Sequence, residues 1–163
     1  MLARSSFAGF ADLKRARLLA LAVPVALLGG AYFSQYVGGL YPCEMCWWQR
    51  YPHMVAIPIA ALALLSPVQA PRTRLLTLLA ALAIAVSGAI GVFHAGVELK
   101  WWEGLTTCSS GGAMSLDDIM STPLVRCDDV QFSFLGISMA GWNAIISLGG
   151  AALVTRLATR GRK

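Results

Sequence analysis

Long apolar runs without a single charged side chain dominate the hydropathy pattern of this chain. Four of them cover residues 18–40, 51–71, 75–97 and 130–155. Each is long enough to cross a hydrocarbon core of roughly 30 Å, which takes about 20 helical residues. The runs are continuous rather than alternating and are rich in Leu and Ala, which argues against membrane strands. The pattern therefore predicts an all-α fold, a four-helix transmembrane bundle.

We expect the spans at about residues 18–40, 51–71, 75–97 and 134–155, joined on one side by segments 41–50 and 98–133. The composition, 57% hydrophobic and 13% charged, is unlike that of a soluble domain and fits one integral membrane domain over residues 1–163. Basic residues precede the first run, as in a signal peptide. That run is longer than a signal-peptide core, so we interpret it as a retained span.

The net charge of +5 is distributed very unevenly about these spans. Ten of the thirteen basic residues precede span 1, lie between spans 2 and 3, or follow span 4: Arg4, Lys14, Arg15, Arg17, Arg72, Arg74, Arg156, Arg160, Arg162 and Lys163. Cytoplasmic loops carry such an excess of Lys and Arg. We therefore predict that both termini are cytoplasmic and that 41–50 and 98–133 face outward. The charge reports topology and gives no reason to expect a nucleic-acid partner.

All four cysteines fall on the outward side, where disulfides persist. Cys43 and Cys46 form a Cys-x-x-Cys in the stretch PCEMCWWQR, in the first outward loop or at the top of helix 2. Cys108 and Cys127 bracket part of the second outward loop. Haem c attachment is excluded, because Trp47 rather than His follows Cys46.

Three interpretations of the cysteines remain. Two structural disulfides are possible, although a bridge across so small a loop stabilises little. A structural zinc site fits poorly because the second pair is widely spaced, and we expect no metal. Thiol–disulfide exchange suits Cys-x-x-Cys, since one thiolate attacks while its neighbour resolves the mixed disulfide.

Three polar residues near the outward ends of the spans are candidates for a site. Arg50 shares a helix face with Cys46 if helix 2 has begun there, and a cation stabilises a thiolate. Its alternative role is that of a residue reaching the lipid headgroups. His53 and His94 are functional candidates as intramembrane histidines, either as ligands of a b-type haem or at a redox cofactor. Glu98, one turn after His94, is placed to fix the tautomer of its ring.

The second outward loop contains the stretch SLDDIM, in which Ser115 and Asp118 have the spacing of a helix cap. Apolar residues around it predict a short amphipathic helix on the membrane surface. The alternative is a solvated acidic loop. The tryptophans of the outward segments fit an interfacial aromatic belt.

The order of these features resembles that of the disulfide bond formation protein B (DsbB) family. The resemblance rests on the Cys-x-x-Cys-x-x-x-Arg spacing of PCEMCWWQR, on FHAGVELKWW, on the cysteine-bracketed loop and on FLGISMAGWN, which opens the last helix. It implies a bacterial inner-membrane bundle that reoxidises DsbA, a soluble periplasmic thioredoxin-fold oxidase. The electrons would pass to the membrane quinone pool, as ubiquinone or menaquinone.

The resemblance also implies roles for single residues. Cys43 and Cys46 would exchange electrons with quinone, Cys46 supplying the thiolate, with Arg50 and His94 beside the ring. Cys108 would form the mixed disulfide with DsbA and Cys127 would resolve it. The vitamin K epoxide reductase-like family is the nearest rival, but its two pairs occur in the reverse order. A b-haem electron-transfer subunit and a non-catalytic membrane protein with two structural disulfides are the two remaining hypotheses.

Overall fold

The structure, a computed structural model, describes residues 2–105 and 125–160, with side chains from residue 11 onward. This part of the chain contains four long helices: α1 (Leu2–Tyr36), α2 (Glu44–Leu65), α3 (Pro71–Glu98) and α4 (Met139–Thr159). Before α4, β1 (Ser133–Phe134) and β2 (Ile137–Ser138) form a short antiparallel hairpin. The predicted all-α four-helix bundle is confirmed. The amphipathic helix expected near residue 115 lies outside the described residues.

The start of α2 differs from the expectation in a way that matters for the site. Cys43 is the N-cap and accepts a hydrogen bond from the backbone N–H of Cys46, and Glu44 lies in the first turn. An acidic side chain there is stabilised by the positive end of the helix dipole, which accounts for Glu44. Residues 44–50 are therefore helical, although the charge pattern favours a loop there.

The start of α4 is fixed by the hairpin, which the continuous apolar run does not predict. Leu135 and Gly136 both adopt positive φ, 53° and 76°, as the two central residues of a type I′ turn do. Ser138 then caps α4 by accepting from the N–H of Gly141 at 3.1 Å. The turn and cap together set the position at which Asn143 enters the bundle.

Small and polar side chains fill the centre of the bundle. Ala16, Ala20, Ala60, Ala80 and Ala158 form its largest buried cluster together with Leu13, Ala81, Val154 and Leu157. Thr73, Thr77, Ser87 and Ser147 are fully buried. Small residues let helix backbones approach closely, which is how helices associate in lipid.

Large apolar side chains point outward instead, among them Phe33 at 66% exposure and Leu82 at 60%. Such a surface suits lipid rather than water. Two segments, Ala11–Tyr36 and Pro71–Glu98, are long and apolar enough to cross a membrane on length and composition. The inside-out distribution of side chains agrees with a helical membrane bundle.

The two ends of the bundle differ in chemistry. At one end Arg17 donates hydrogen bonds to the carbonyls of Ala63 (3.1 Å) and Ser66 (2.9 Å) and so caps the C-terminus of α2. At the other end the N-terminus of α2 meets the C-terminus of α3, where Cys43 lies against His94. Arg17 and Cys43 thus occupy opposite ends, as the predicted topology requires.

Candidate active site

Three of the four cysteines that the sequence singles out lie together at the start of α2. The sulfurs of Cys43 and Cys46 lie 3.0 Å apart, with the Cys43 thiol donating to Cys46. The thiol of Cys43 also contacts the sulfur of Cys127, which packs in the same buried cluster and is 3% exposed. Cys43 is therefore the middle sulfur of the three. Cys108 lies outside the described residues.

The environments of Cys43 and Cys46 differ. Contacts with the sulfurs of Cys127 and Cys46, and then burial, raise the pKa of the Cys43 thiol. Its proton stays in place and is donated to the Cys46 sulfur. Cys46 is only half-buried and borders a cavity. This favours Cys46 as the sulfur that carries negative charge in the reduced pair.

The ring of His94 is oriented by Gln49. The amide nitrogen of Gln49 donates to the carbonyl of Met45 at 3.2 Å and lies 2.8 Å from His94 Nδ1. A carbonyl only accepts, so this nitrogen is the donor and Nδ1 accepts. The proton of the neutral ring is therefore on Nε2, which lies 3.1 Å from the carbonyl of Cys127 and 3.6 Å from Cys43 Sγ.

The expectation that Glu98 fixes the tautomer of His94 is wrong. Its Oε1 lies 3.9 Å from His94 Nε2, beyond hydrogen-bonding distance, and its Oε2 accepts the hydroxyl proton of Ser138. The carboxylate is drawn away because Ser138, the cap of α4, packs against the end of α3. Gln49 takes the place of Glu98 at the ring.

The polar contacts continue through the bundle to His53. Asn143 of α4 donates to Gln49 Oε1 at 2.8 Å, and its own Oδ1 lies 3.1 Å from His53 Nε2. Ser147 donates to the same Oδ1. His53 is 2% exposed and therefore lies inside the bundle. Two side-chain amides join the two imidazoles, an arrangement that gives no support to a haem held between them.

Arg50 is held inside the bundle by α1. It donates to Gln35 Oε1 at 2.6 Å and to the carbonyl of Ala31 at 3.3 Å. Its guanidinium lies over the rings of Tyr32 (5.1 Å) and Trp47 (4.9 Å), within cation–π range. Arg50 is 6% exposed and does not extend to the headgroups. Ala31, Tyr32, Gln35 and Trp47 thus form a cage around Arg50. The interpretation of Trp47 as an interfacial anchor did not include this role.

A cavity of about 530 Å³ opens beside these residues. Its wall is mostly apolar and comes largely from α1, where Ala26, Gly30 and Phe33 contribute. A Cβ at Gly30 would meet nothing within 4 Å, which leaves open space beside the wall. Part of the lining is polar: Cys46, Gln49, Arg50 and His53 follow one another along α2, and His94 lies against Gln49. We call this part the polar end of the cavity. The combination fits a flat apolar ring whose oxygens need hydrogen-bond donors.

The chain on either side of Cys127 is held to the segment that follows α3. Lys100 donates to both the carbonyl and a carboxylate oxygen of Asp128, at 2.6 and 2.7 Å, and Arg126 donates to the same carboxylate. The Arg126 guanidinium and then the Lys100 ammonium hold the pKa of Asp128 below its ordinary value. These contacts fix the chain directly after Cys127.

A helical membrane bundle with three clustered cysteines at one end defines a membrane protein of the disulfide oxidoreductase class. Comparison with known families agrees: the family model described as "Disulfide bond formation protein DsbB" matches residues 13–157. The chain belongs to this family. It is therefore a membrane enzyme of disulfide bond formation.

Individual relatives cover most of the chain. A protein named "Disulfide bond formation protein B" from a Polaromonas species is 33% identical over 93% of this chain and 98% of its own. One of the same name from Marinobacter nauticus is 30% identical over 78% of this chain and 80% of its own. An uncharacterised protein, RP370 of Rickettsia prowazekii, is 25% identical over 80% of this chain and 79% of its own. No solved structure matches.

Proposed function

We propose that the protein is a thiol:quinone oxidoreductase of the bacterial inner membrane. It reoxidises a soluble periplasmic DsbA-like dithiol oxidase and delivers the electrons to ubiquinone or menaquinone. The observation that carries this proposal is the position of Cys43, which contacts Cys127 on one side and Cys46 on the other. Cys46 in turn borders the cavity that Arg50 and His94 line.

Two cysteine pairs take part in the relay: the outer pair, Cys108 and Cys127, and the inner pair, Cys43 and Cys46. The relay begins at the outer pair. A thiolate of the reduced partner attacks Cys108, which breaks the Cys108–Cys127 disulfide and forms a mixed disulfide with the partner. The partner's second thiolate breaks that bond and leaves as the oxidised partner. Two electrons and the corresponding protons now reside on Cys108 and Cys127.

The next exchange uses the contact seen in the structure. The Cys127 thiolate attacks Cys43 of the oxidised inner pair, so that a Cys43–Cys127 bond forms and Cys46 leaves as thiolate. Cys108 then attacks Cys127, which restores the outer disulfide and leaves Cys43 and Cys46 reduced. The contact between Cys43 and Cys127 in one buried cluster supports this route, because exchange needs the two sulfurs close together.

The inner pair is reoxidised at the cavity. Quinone, when bound, accepts two electrons and two protons there. Cys46 presents its sulfur to the cavity, and Cys43 closes the disulfide from 3.0 Å away. Arg50 stabilises negative charge on Cys46 and on an oxygen at the polar end of the cavity. His94 presents Nε2–H as a proton donor, in the tautomer set by Gln49.

The topology of the chain fits this assignment. The whole of residues 1–163 would act as one integral domain in the lipid bilayer. The end of the bundle that contains Arg17 would face the cytoplasm, and the end that contains Cys43 and Cys46 would face the periplasm. There the inner pair meets the quinone pool and the outer pair meets the soluble partner. The excess of basic residues on one side supports this orientation.

The test is quinone-dependent reoxidation of reduced DsbA-like partner by membranes that contain the protein, with each cysteine replaced by Ser in turn. We expect every variant to lose turnover while remaining folded. With the native chain, a partner variant that keeps only its attacking cysteine should accumulate a mixed disulfide through Cys108, because Cys127 leaves as the thiolate and the partner has no second thiol to break the bond; this product is visible on a non-reducing gel. If Cys46→Ser lowers thermal stability but leaves reoxidation intact, the pair is a structural disulfide and the proposal is wrong.

A further inference from the structure

We propose that the reduced inner pair, Cys43 and Cys46, forms with His94 a binding site for a thiophilic divalent cation, Zn²⁺ or Cd²⁺. The site exists only while the pair is reduced. Cation binding itself does not depend on the proposed quinone chemistry, so the two proposals can fail separately. The inferred consequence, a block of the inner pair, rests on the proposed function.

The donor atoms already have nearly the required spacing. One sulfur from each cysteine and a ring nitrogen of His94 lie within 4.8 Å of one another. The two sulfurs are 3.0 Å apart, and Cys43 Sγ lies 3.6 Å from His94 Nε2. Around Zn²⁺, with bonds of about 2.3 Å to sulfur and about 2.0 Å to nitrogen, tetrahedral ligands lie roughly 3.5–3.8 Å apart. Small side-chain movements, of about 1 Å, therefore complete three corners of a tetrahedron.

The chemistry of the donors selects the class of cation. Two thiolates and one imidazole are the soft and borderline ligands that Zn²⁺ and Cd²⁺ prefer. Cys43 is 1% exposed and His94 is 3% exposed, so both ligands are held in the protein rather than on mobile surface chains. Binding releases the remaining thiol proton, that of Cys43, and transfers no electrons. Oxidation to the disulfide removes both thiolates and thereby the site.

Metal binding at His94 requires a change in its hydrogen bond with Gln49. In the structure the proton of His94 is on Nε2, the nitrogen that faces the sulfurs. A cation there displaces this proton, the neutral ring carries its proton on Nδ1, and the Gln49 amide turns to accept it. A carboxylate at position 49 would accept that proton better, as in the carboxylate–histidine–zinc arrangement of many metal sites.

A bound cation would occupy the polar end of the cavity. Cys46 and His94 both line that end, together with Arg50. The cation would tie up the Cys46 sulfur and place a positive charge near the guanidinium. Free zinc in the periplasm would then hold the inner pair in its reduced form, and chelation would release it.

The experiment measures binding to the full-length protein in detergent under anaerobic conditions. Cys108→Ser/Cys127→Ser is the background, because it removes the outer pair as a competing thiol site. After reduction and removal of the reductant, we expect one Zn²⁺ per chain by competition with a chromophoric chelator. Cd²⁺ should give a thiolate-to-metal absorption band in the ultraviolet. Oxidation of the pair should abolish both signals.

Single changes in this background then test the ligands. Cys43→Ser and Cys46→Ser should each abolish stoichiometric binding, and His94→Ala should weaken it about tenfold or more. Gln49→Glu should tighten binding, whereas Gln49→Leu should not. Circular dichroism checks that each variant is folded, and His94→Asn replaces His94→Ala if that variant is not. Absence of binding to the reduced background protein, or unchanged affinity without His94, would overturn the proposal.

Discussion

Gln49 donates a hydrogen bond to Nδ1 of His94 across 2.8 Å, within the closed centre of the bundle. The amide cannot reverse without cost, because its oxygen accepts from Asn143 and its nitrogen donates to Met45. A side chain of α2 therefore determines which nitrogen of an α3 histidine carries the proton. That proton lies on Nε2, which is hydrogen-bonded to the carbonyl of Cys127 and lies 3.6 Å from Cys43 Sγ, beside the sulfurs of the proposed reaction.

This relationship predicts the tautomer of His94. Nitrogen-15 spectra of histidine-labelled protein should show Nε2–H in the native chain and Nδ1–H in Gln49→Glu, whose carboxylate accepts only. Gln49→Glu should also slow quinone reduction about tenfold, because the donor no longer faces the cavity. The signal of His53, the other histidine, serves as the internal reference. An unchanged His94 tautomer in Gln49→Glu would contradict the assignment.

The contact between Cys43 and Cys127 predicts an interloop disulfide. In Cys46→Ser/Cys108→Ser the two remaining cysteines should form a bond under mild oxidation, detected by mass spectrometry of the digested protein. The matched control is Cys43→Ser/Cys108→Ser, in which Cys46 and Cys127 remain. That variant should cross-link more slowly, because Cys43 is the middle sulfur of the three. Equal rates would remove the basis for the proposed order of exchange.

The position of Arg50 beside the cavity predicts that its replacement slows quinone reduction more than thiol exchange. Arg50→Ala should lower the rate of quinone reduction about tenfold to a hundredfold, the range expected for a lost hydrogen bond to a charged group. Exchange between the inner and outer pairs should slow less, because there Arg50 acts only on the departing Cys46 thiolate. Arg50→Lys should recover only part of the rate, since it keeps the charge but loses the planar donors.

The control for Arg50 is Arg72→Ala, an exposed arginine at the opposite end of the bundle. It should behave as the native chain in both assays. Stopped-flow measurement of quinone absorbance separates the quinone step from thiol exchange. If Arg50→Ala slows both steps equally, the guanidinium supports the fold rather than the site.

The close approach of α3 and α4 at Gly91 predicts that Gly91→Ala destabilises the protein. A Cβ at Gly91 would lie 3.0 Å from the carbonyl of Ala140, the nitrogen of Ala144 and the amide of Asn143. Overpacking costs about 1–3 kcal/mol. The gain in helix propensity from Gly to Ala is about 0.5–1 kcal/mol, so a net loss of stability is expected.

Gly149→Ala is the matched control, because a Cβ there would meet nothing within 4 Å and the position lies in α4, one of the same two helices. It should leave stability unchanged or raise it slightly. Thermal unfolding in detergent measures both variants. A Gly91→Ala protein as stable as Gly149→Ala would show that the two helices are not packed as described.

Much of the fold could be predicted from the sequence because the membrane imposes strong rules. Charge-free runs identify the helices, and the positions of arginines such as Arg72 and Arg156 predict the orientation of the helices across the membrane. The predicted start of α2 is too late, because the charged residues Glu44 and Arg50 favour a loop in a hydropathy pattern. In the folded chain Glu44 is stabilised at a helix N-terminus and Arg50 is surrounded by α1.

The site was only partly predictable for a related reason. The spacing of Cys43, Cys46 and Arg50 carries a local signal that one sequence displays. The contacts of Gln49 and Asn143 depend on how three helices are rotated against one another, which hydropathy does not specify. Polar amides inside apolar helices were the available clue, since such groups need partners in lipid. Their partners became visible only in the folded chain.

The central claim is that Cys43 and Cys46 pass two electrons to quinone. The most direct measurement mixes the pre-reduced Cys108→Ser/Cys127→Ser protein anaerobically with ubiquinone and with menaquinone, and follows quinone absorbance and thiol content together. We predict one quinol formed for each inner pair oxidised, with at least one of the two quinones, and none when Cys46 is also replaced by Ser. Failure of the reduced inner pair to reduce either quinone, in folded protein, would contradict this mechanism.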